Sequence, residues 1–317
     1  METIATPLMW AGFFAFVVIA TAIDLKVLSA KGASRVSVRE ALGWTALWIA
    51  LALVFAGWLW WYLNGTAGPE LAREKTLEYL TGYLIEKSLS VDNIFVFLML
   101  FTYFAVPPEL QRRALVYGVF GAIALRIVMI LIGAWLIAKF HWIIYVFGLF
   151  LLVTGVKMLW FAGEEPDLAK NPVLRWIRAH LPLTPGFEGE RFWVTRDGLR
   201  RYTPLFVVLA MIAVTDVVFA VDSIPAIFAV TDDPFIVMTS NIFAVLGLRA
   251  LYFVLADMAG RFHLLSYGLA VILMFIGVKM LIIDFYKIPV FLALGVVVGL
   301  LVLSIVASLL IKPRAPS

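Results

Sequence analysis

Long apolar runs separated by short polar breaks dominate the chain. Nine of them match the roughly 20 residues needed to cross a bilayer: 8–28, 41–63, 79–104, 114–138, 142–160, 203–230, 235–258, 264–283 and 289–311. Turn-forming residues fall between them, at Asn64-Gly65, Pro107-Pro108, Asp232-Asp233-Pro234 and Ile288-Pro289. The pattern predicts an all-α polytopic membrane protein with nine transmembrane helices. One connection is long and polar, over 162–202. Within it, Pro172 to His180 reads as a short basic amphipathic helix. Phe192 to Tyr202 reads as a small hairpin turning at Asp197-Gly198.

Composition agrees with this reading and narrows it. Hydrophobic residues make up 63% of the 317, mean hydropathy is +1.01, and only 15% are charged; soluble domains carry ~25% charge. A water-soluble enzyme is excluded. The chain has no cysteine, which removes thiolate metal sites, disulfides and cysteine nucleophiles. No nucleophile–base pair or phosphate-cradling glycine loop appears, so catalysis is not expected, nor is a permanent cofactor. Basic residues are not interleaved with aromatics along any polar stretch, which argues against nucleic acid as a partner. The N-terminus lacks a basic region before its apolar run, so no cleaved signal is expected.

Lysine and arginine collect on cytoplasmic loops. With the N-terminus outside, the inner connections hold sixteen Lys and Arg and the outer ones four, namely Arg73, Lys75, Lys139 and Lys287. The expected orientation is therefore N-terminus out and C-terminus cytoplasmic.

The middle of the chain repeats itself. Val119-Phe120-Gly121-Ala122-Ile123-Ala124-Leu125-Arg126 resembles Ile242-Phe243-Ala244-Val245-Leu246-Gly247-Leu248-Arg249, and Gly155-Val156-Lys157-Met158-Leu159 recurs as Gly277-Val278-Lys279-Met280-Leu281. Upstream, Ser90-Val91-Asp92-Asn93-Ile94 parallels Ala220-Val221-Asp222-Ser223-Ile224, with an acid six residues earlier in each copy, Glu86 and Asp216. Each copy holds three spans, so the two lie in opposite orientation, as the inverted repeats of alternating-access transporters do. The expected organisation is two N-terminal transmembrane helices over 1–75, a first three-helix repeat over 76–161 and the cytoplasmic loop 162–202. A second repeat over 203–284 follows, then a final helix and cytoplasmic tail over 285–317.

Glu86, Asp92, Asp216, Asp222, Arg126 and Arg249 fall inside spans. Unpaired, they would cost on the order of 15–20 kcal/mol, more than the ~5–15 kcal/mol net stability of a fold. They must be paired, protonated, hydrated or metal-bound. Counting from span ends, Glu86 and Asp222 share one level and Asp92 and Asp216 another, two carboxylate rungs ~9 Å apart. Positions six apart point ~120° away from each other on a regular helix. Pro225, which disfavours the bond to the Val221 carbonyl, offers a local break in the second copy. The nearby set is all hard oxygen, with Asn93, Ser90, Thr215, Ser223 and Asn241 as supporting groups and Asp24 as an interfacial or gating acid. Such a set suits Mg, Ca or Mn. A cation path competes here with a proton relay and with simple pairing of the acids to Arg126 and Arg249 as charge partners. Lys157 and Lys279, near span ends, read as snorkelling.

Two segments carry a family resemblance: Glu86-Lys87-Ser88-Leu89-Ser90-Val91-Asp92-Asn93, and Phe219-Ala220-Val221-Asp222-Ser223-Ile224-Pro225-Ala226-Ile227-Phe228-Ala229-Val230. They resemble the hallmark motifs of the TerC family, in particular its Alx branch. Ala22-Ile23-Asp24, Thr239-Ser240-Asn241 and Gly247-Leu248-Arg249 extend the resemblance over essentially the whole chain. It implies a bacterial inner-membrane protein exporting manganese(II), with Glu86, Asp92, Asp216 and Asp222 handling the ion, and a link to protons and alkaline-pH response. The alternative class is a membrane scaffold assisting metal loading or insertion of other membrane or exported proteins. One departure stands out: the family often has Glu where this chain has Ala213, which removes a carboxylate from the expected set.

Overall fold

The computed structural model describes residues 3–29, 38–140, 142–160, 170–196, 198–257 and 264–311, with only the backbone of 24–29, of Asp92 and of Asp257. Among them are eleven helices and one hairpin: α1 (Pro7–Ser29), α2 (Val38–Thr66), α3 (Pro69–Tyr103), α4 (Pro108–Lys139), α5 (Ile143–Trp160), α6 (Pro172–His180), β1 (Trp193–Arg196), β2 (Leu199–Tyr202), α7 (Pro204–Phe228), α8 (Pro234–Val245), α9 (Leu248–Asp257), α10 (Leu265–Leu281) and α11 (Val290–Leu310). Proline opens α3, α4, α6, α7 and α8. Its missing N–H costs nothing in a first turn. In α6 the Asn171 side chain also accepts from the amides of Val173 (2.9 Å) and Leu174 (3.2 Å), a standard N-cap. β1 and β2 pair antiparallel, Arg196 opposite Leu199, around Gly198 at φ +72°.

Among the described residues five helices, α2, α4, α5, α7 and α11, are long and apolar enough to cross a membrane, and α8 with α9 makes a sixth if that bent pair is one span. The α8–α9 axis turns by 40° at Gly247, whose φ is +84°. A Cβ there would stand 2.6 Å from Trp48 Cδ1 of α2. Both facts require glycine. The break expected at Pro225 is not there. α7 runs on through Pro225 to Phe228, and the second copy bends at Gly247 instead. In the first copy the equivalent residue, Ala124, lies inside unbroken α4.

α3 is enclosed by α2, α7, α8 and α11, while α4 packs on α7 and α8. α5 and α10 form the closest helix pair, and glycine permits it. A Cβ on Gly277 would lie 2.7 Å from the Gly148 carbonyl oxygen, and one on Gly155 2.7 Å from that of Ala270. Small residues let helix backbones touch in lipid, where packing rather than hydrophobicity drives association. α1 joins the body through rings, Trp10 and Phe13 on Phe235 and Phe16 on Phe243.

Candidate functional site: a buried carboxylate–guanidinium cluster

Glu86 is the middle residue of α3 and Asp216 the middle residue of α7. These helices pack together, and α4 packs on α7, so Arg126 reaches both acids. Its Nη1 donates to Glu86 Oε1, and its Nη2 lies 3.3 Å from Asp216 Oδ1. All three side chains are buried. Asn241 of α8 closes the ring. Its Nδ2 donates to Glu86 Oε2 at 3.0 Å, and its Oδ1 accepts from Arg126 Nη1 at 3.3 Å. Ser90 Oγ, one turn along α3, lies 3.5 Å from Glu86 Oε1. Two carboxylates thus share one guanidinium, and the cluster has a formal charge of −1. Charged partners make each hydrogen bond stronger than a neutral one.

The expected rungs paired Glu86 with Asp222 and Asp92 with Asp216. Arg126 instead joins Glu86 to Asp216. Asp222 sits apart and half-buried. Thr154 Oγ1 of α5 lies 3.3 Å from its Oδ1, and Lys157 adds its charge nearby. Lys157 therefore works beside Asp222 rather than only snorkelling. The side chains of Asp92 and Asp24 lie outside the described residues. Arg249 is buried at the start of α9. Thr215 turns its hydroxyl back to the Met211 and Ile212 carbonyls of its own helix.

Five buried side-chain oxygens have no hydrogen-bond partner among the described residues: Asp216 Oδ2, Asn93 Oδ1, Ser223 Oγ, Thr76 Oγ1 and the Tyr83 hydroxyl. Asn93 and Ser223 are equivalent positions in the two sequence copies. Each unmet buried acceptor costs about 1–3 kcal/mol. Among the described residues no group of three or more Asp, Glu or His is assembled to hold a metal ion.

Other polar groups were given no role from the sequence. Lys87 Nζ donates to the Ala244 carbonyl at 3.1 Å, satisfying the C-terminal end of α8 at the break. Glu78, two turns before Glu86 on α3, accepts from Lys75 Nζ (2.9 Å) and Thr231 Oγ1 (2.6 Å). Its signal was the four-residue spacing Glu70, Glu74, Glu78. Thr154 offered only a lone hydroxyl in an apolar run.

Helices long and apolar enough to span, joined around a buried charge cluster, define a multi-pass integral membrane protein. Residues 71–315 match the integral membrane protein TerC family, and the chain belongs to that family. It is 57% identical over 306 residues to the Salmonella typhi protein named "Putative membrane-bound redox modulator Alx", covering 96% of this chain and 95% of that one. It is 54% identical over 314 residues to the Escherichia coli (strain K12) protein of the same name, covering 99% and 98%. With the Myxococcus xanthus membrane protein STKORF319 it shares 48% over 320 residues, covering 100% and 98%. No solved structure matches the chain.

Proposed function

We propose that the protein is an inner-membrane carrier that exports manganese(II), or a similar hard divalent cation, from the cytoplasm. In this reading it has nine spans, its N-terminus lies outside and its C-terminus inside, and residues 76–161 and 203–284 form two inverted three-helix repeats. The observation that carries the reading is the set of unmet oxygens. Asp216 Oδ2 is a buried, unpartnered acceptor within the cluster of net charge −1, and the buried Asn93 Oδ1 and Ser223 Oγ stand about two turns along α3 and α7 from its two acids. A hard cation is the partner such oxygens favour. Asp92 and Asp222, adjacent in sequence to Asn93 and Ser223, supply further charge.

The inverted repeat draws support from the pairing of helices. With α3 matched to α7, α4 to α8–α9 and α5 to α10, the α3–α8 contact corresponds to the α7–α4 contact, and α5–α10 to itself. The glycine contacts follow the same rule. Gly155 matches Gly277 and Gly148 matches Ala270, so the approach of Gly277 to the Gly148 carbonyl is the counterpart of Gly155 approaching Ala270.

The name of the Salmonella typhi and Escherichia coli relatives concerns redox. A chain without cysteine offers no thiol–disulfide couple of its own, and movement of a redox-active ion would reconcile that name with the residues present. Purified protein in liposomes tests the reading: Mn²⁺ is expected to cross, Asp92→Asn or Asp222→Asn to abolish passage, and an imposed pH gradient to drive it if protons are coupled. An inert wild-type protein would overturn the carrier in favour of a scaffold for metal loading or protein insertion.

A further inference from the structure

A cavity of about 960 Å³ opens at the N-terminal end of α3. Five carboxylates line it, from Glu70, Glu74, Glu78, Asp232 and Asp284, against three cationic side chains, from Arg73, Lys279 and Lys287. Glu70, Glu74 and Glu78 stand four residues apart, along one stripe of the helix. The same stripe continues through Gly82 to Glu86, ~12 Å beyond Glu78. From Glu78 inward it faces α7, α8 and their connection. Glu78 meets Thr231 of the α7–α8 connection, and Glu86 meets Asn241 of α8. Between them, Gly82 touches both helices. A Cβ on Gly82 would stand 2.8 Å from Ser240 Oγ and 3.2 Å from Ile227 Cγ2.

We propose that this cavity is the antechamber of the ion path, and that Gly82, Ile227 and Ser240 form the closure separating it from the Glu86–Arg126–Asp216 cluster. The inference rests on the carrier reading for its direction of use, and it deepens that reading by naming the route. Glycine at 82 is what lets the three walls meet. Ile227 supplies the apolar block and Ser240 the small polar one. The carboxylate excess above the closure favours cations at its mouth. Once the closure parts, Glu86 is the next oxygen ligand along the same stripe.

The absence of native cysteine allows a direct test with single reporters and a membrane-impermeant thiol reagent applied to intact cells. Leu77, which lines the cavity, is the reporter above the closure. Ser90, beside Glu86, is the reporter below it. Leu77→Cys is expected to label at least about tenfold faster than Ser90→Cys, since access governs thiol reactivity. Adding Ile227→Ala to Ser90→Cys removes the block and should raise its labelling several-fold. Ser240→Gly, a second opening of different chemistry, should do the same. Comparing the same thiol with and without each opening cancels any intrinsic sluggishness of a thiol beside a carboxylate. Failure of Leu77→Cys to label, equal labelling of both reporters, or unchanged Ser90→Cys in both folded opened variants would overturn the proposal. Labelling reads access and not transport. The expected pattern in a chain inert toward Mn²⁺ would therefore leave the closure standing and remove only the carrier.

Discussion

Replacing Arg126 by glutamine tests whether the buried cluster is governed by charge balance. In the native chain Glu86 and Asp216 share one guanidinium, Nη1 on the first and Nη2 at 3.3 Å from the second. The formal charge is −1. Arg126→Gln raises it to −2 and leaves two carboxylates facing each other across buried helices. Glu86→Gln lowers it to zero and keeps the Arg126–Asp216 bridge, but its one amide oxygen replaces two acceptors, so either the contact from Arg126 or that from Asn241 is lost. Removing one partner of a buried ion pair costs about 3–5 kcal/mol, because the other charge remains without compensation. Here two acids lose their compensation at once. Glu86→Gln loses one of the two strong bonds its carboxylate accepts and weakens the other, about 1–3 kcal/mol, while shedding the surplus charge. Arg126→Gln should therefore lower the unfolding midpoint by on the order of 10 °C, and Glu86→Gln by less.

Thermal unfolding of detergent-purified protein, followed by the fluorescence of its 11 tryptophans, measures both. The double variant completes the cycle. Adding Glu86→Gln to Arg126→Gln brings the charge back from −2 to −1, so the double should be more stable than Arg126→Gln alone. If Glu86→Gln is as damaging as Arg126→Gln, or the double no better than the arginine single, shape and not charge holds the cluster and the reasoning is refuted.

Two further outcomes follow from backbone contacts. Gly247→Ala must adopt φ +84° and push its Cβ into Trp48; a loss of about 1–3 kcal/mol is expected, partly recovered by Trp48→Ala in the same unfolding assay, and a variant of native stability would refute the account of the bend. Gly155→Ala and Gly277→Ala each drive a Cβ to 2.7 Å from a carbonyl oxygen of the facing helix. They should destabilise the α5–α10 pair to a similar degree, about 1–3 kcal/mol, and full tolerance of one alone would count against the repeat symmetry.

The legible parts of this fold were those set by local chemistry. Prolines marked helix starts, and α6 with its hairpin followed from an amphipathic run and an Asp-Gly turn. The bend of the second copy was not legible, because its cause is Trp48, nearly two hundred residues away in sequence. Pro225 carried the stronger local signal, yet α7 absorbs it without ending. Arg126 could be read as a partner of intramembrane acids. Which acids it holds depends on α4 lying against α7, and no count from span ends supplies that. The count paired Glu86 with Asp222 and missed the arginine that joins it to Asp216.

That failure points to the role of α3. It lies at the middle of the molecule, packed against α2, α7, α8 and α11, yet it is too charged to stand among the five spans defined by length and composition. The two facts have one cause. A helix facing lipid must be apolar, whereas one surrounded by protein can carry charge wherever a neighbour supplies the counterpart. Consecutive residues on a helix point about 100° apart, so Glu86 and Lys87 address different neighbours. Glu86 meets the guanidinium from α4 and the amide from α8. Lys87 takes a carbonyl that α8 leaves open where it breaks. Two turns earlier Glu78 binds the α7–α8 connection. Glu78, Glu86 and Lys87 are each met by groups from the helices and connection that surround α3, and the low hydropathy of this segment is the sequence signature of its central position.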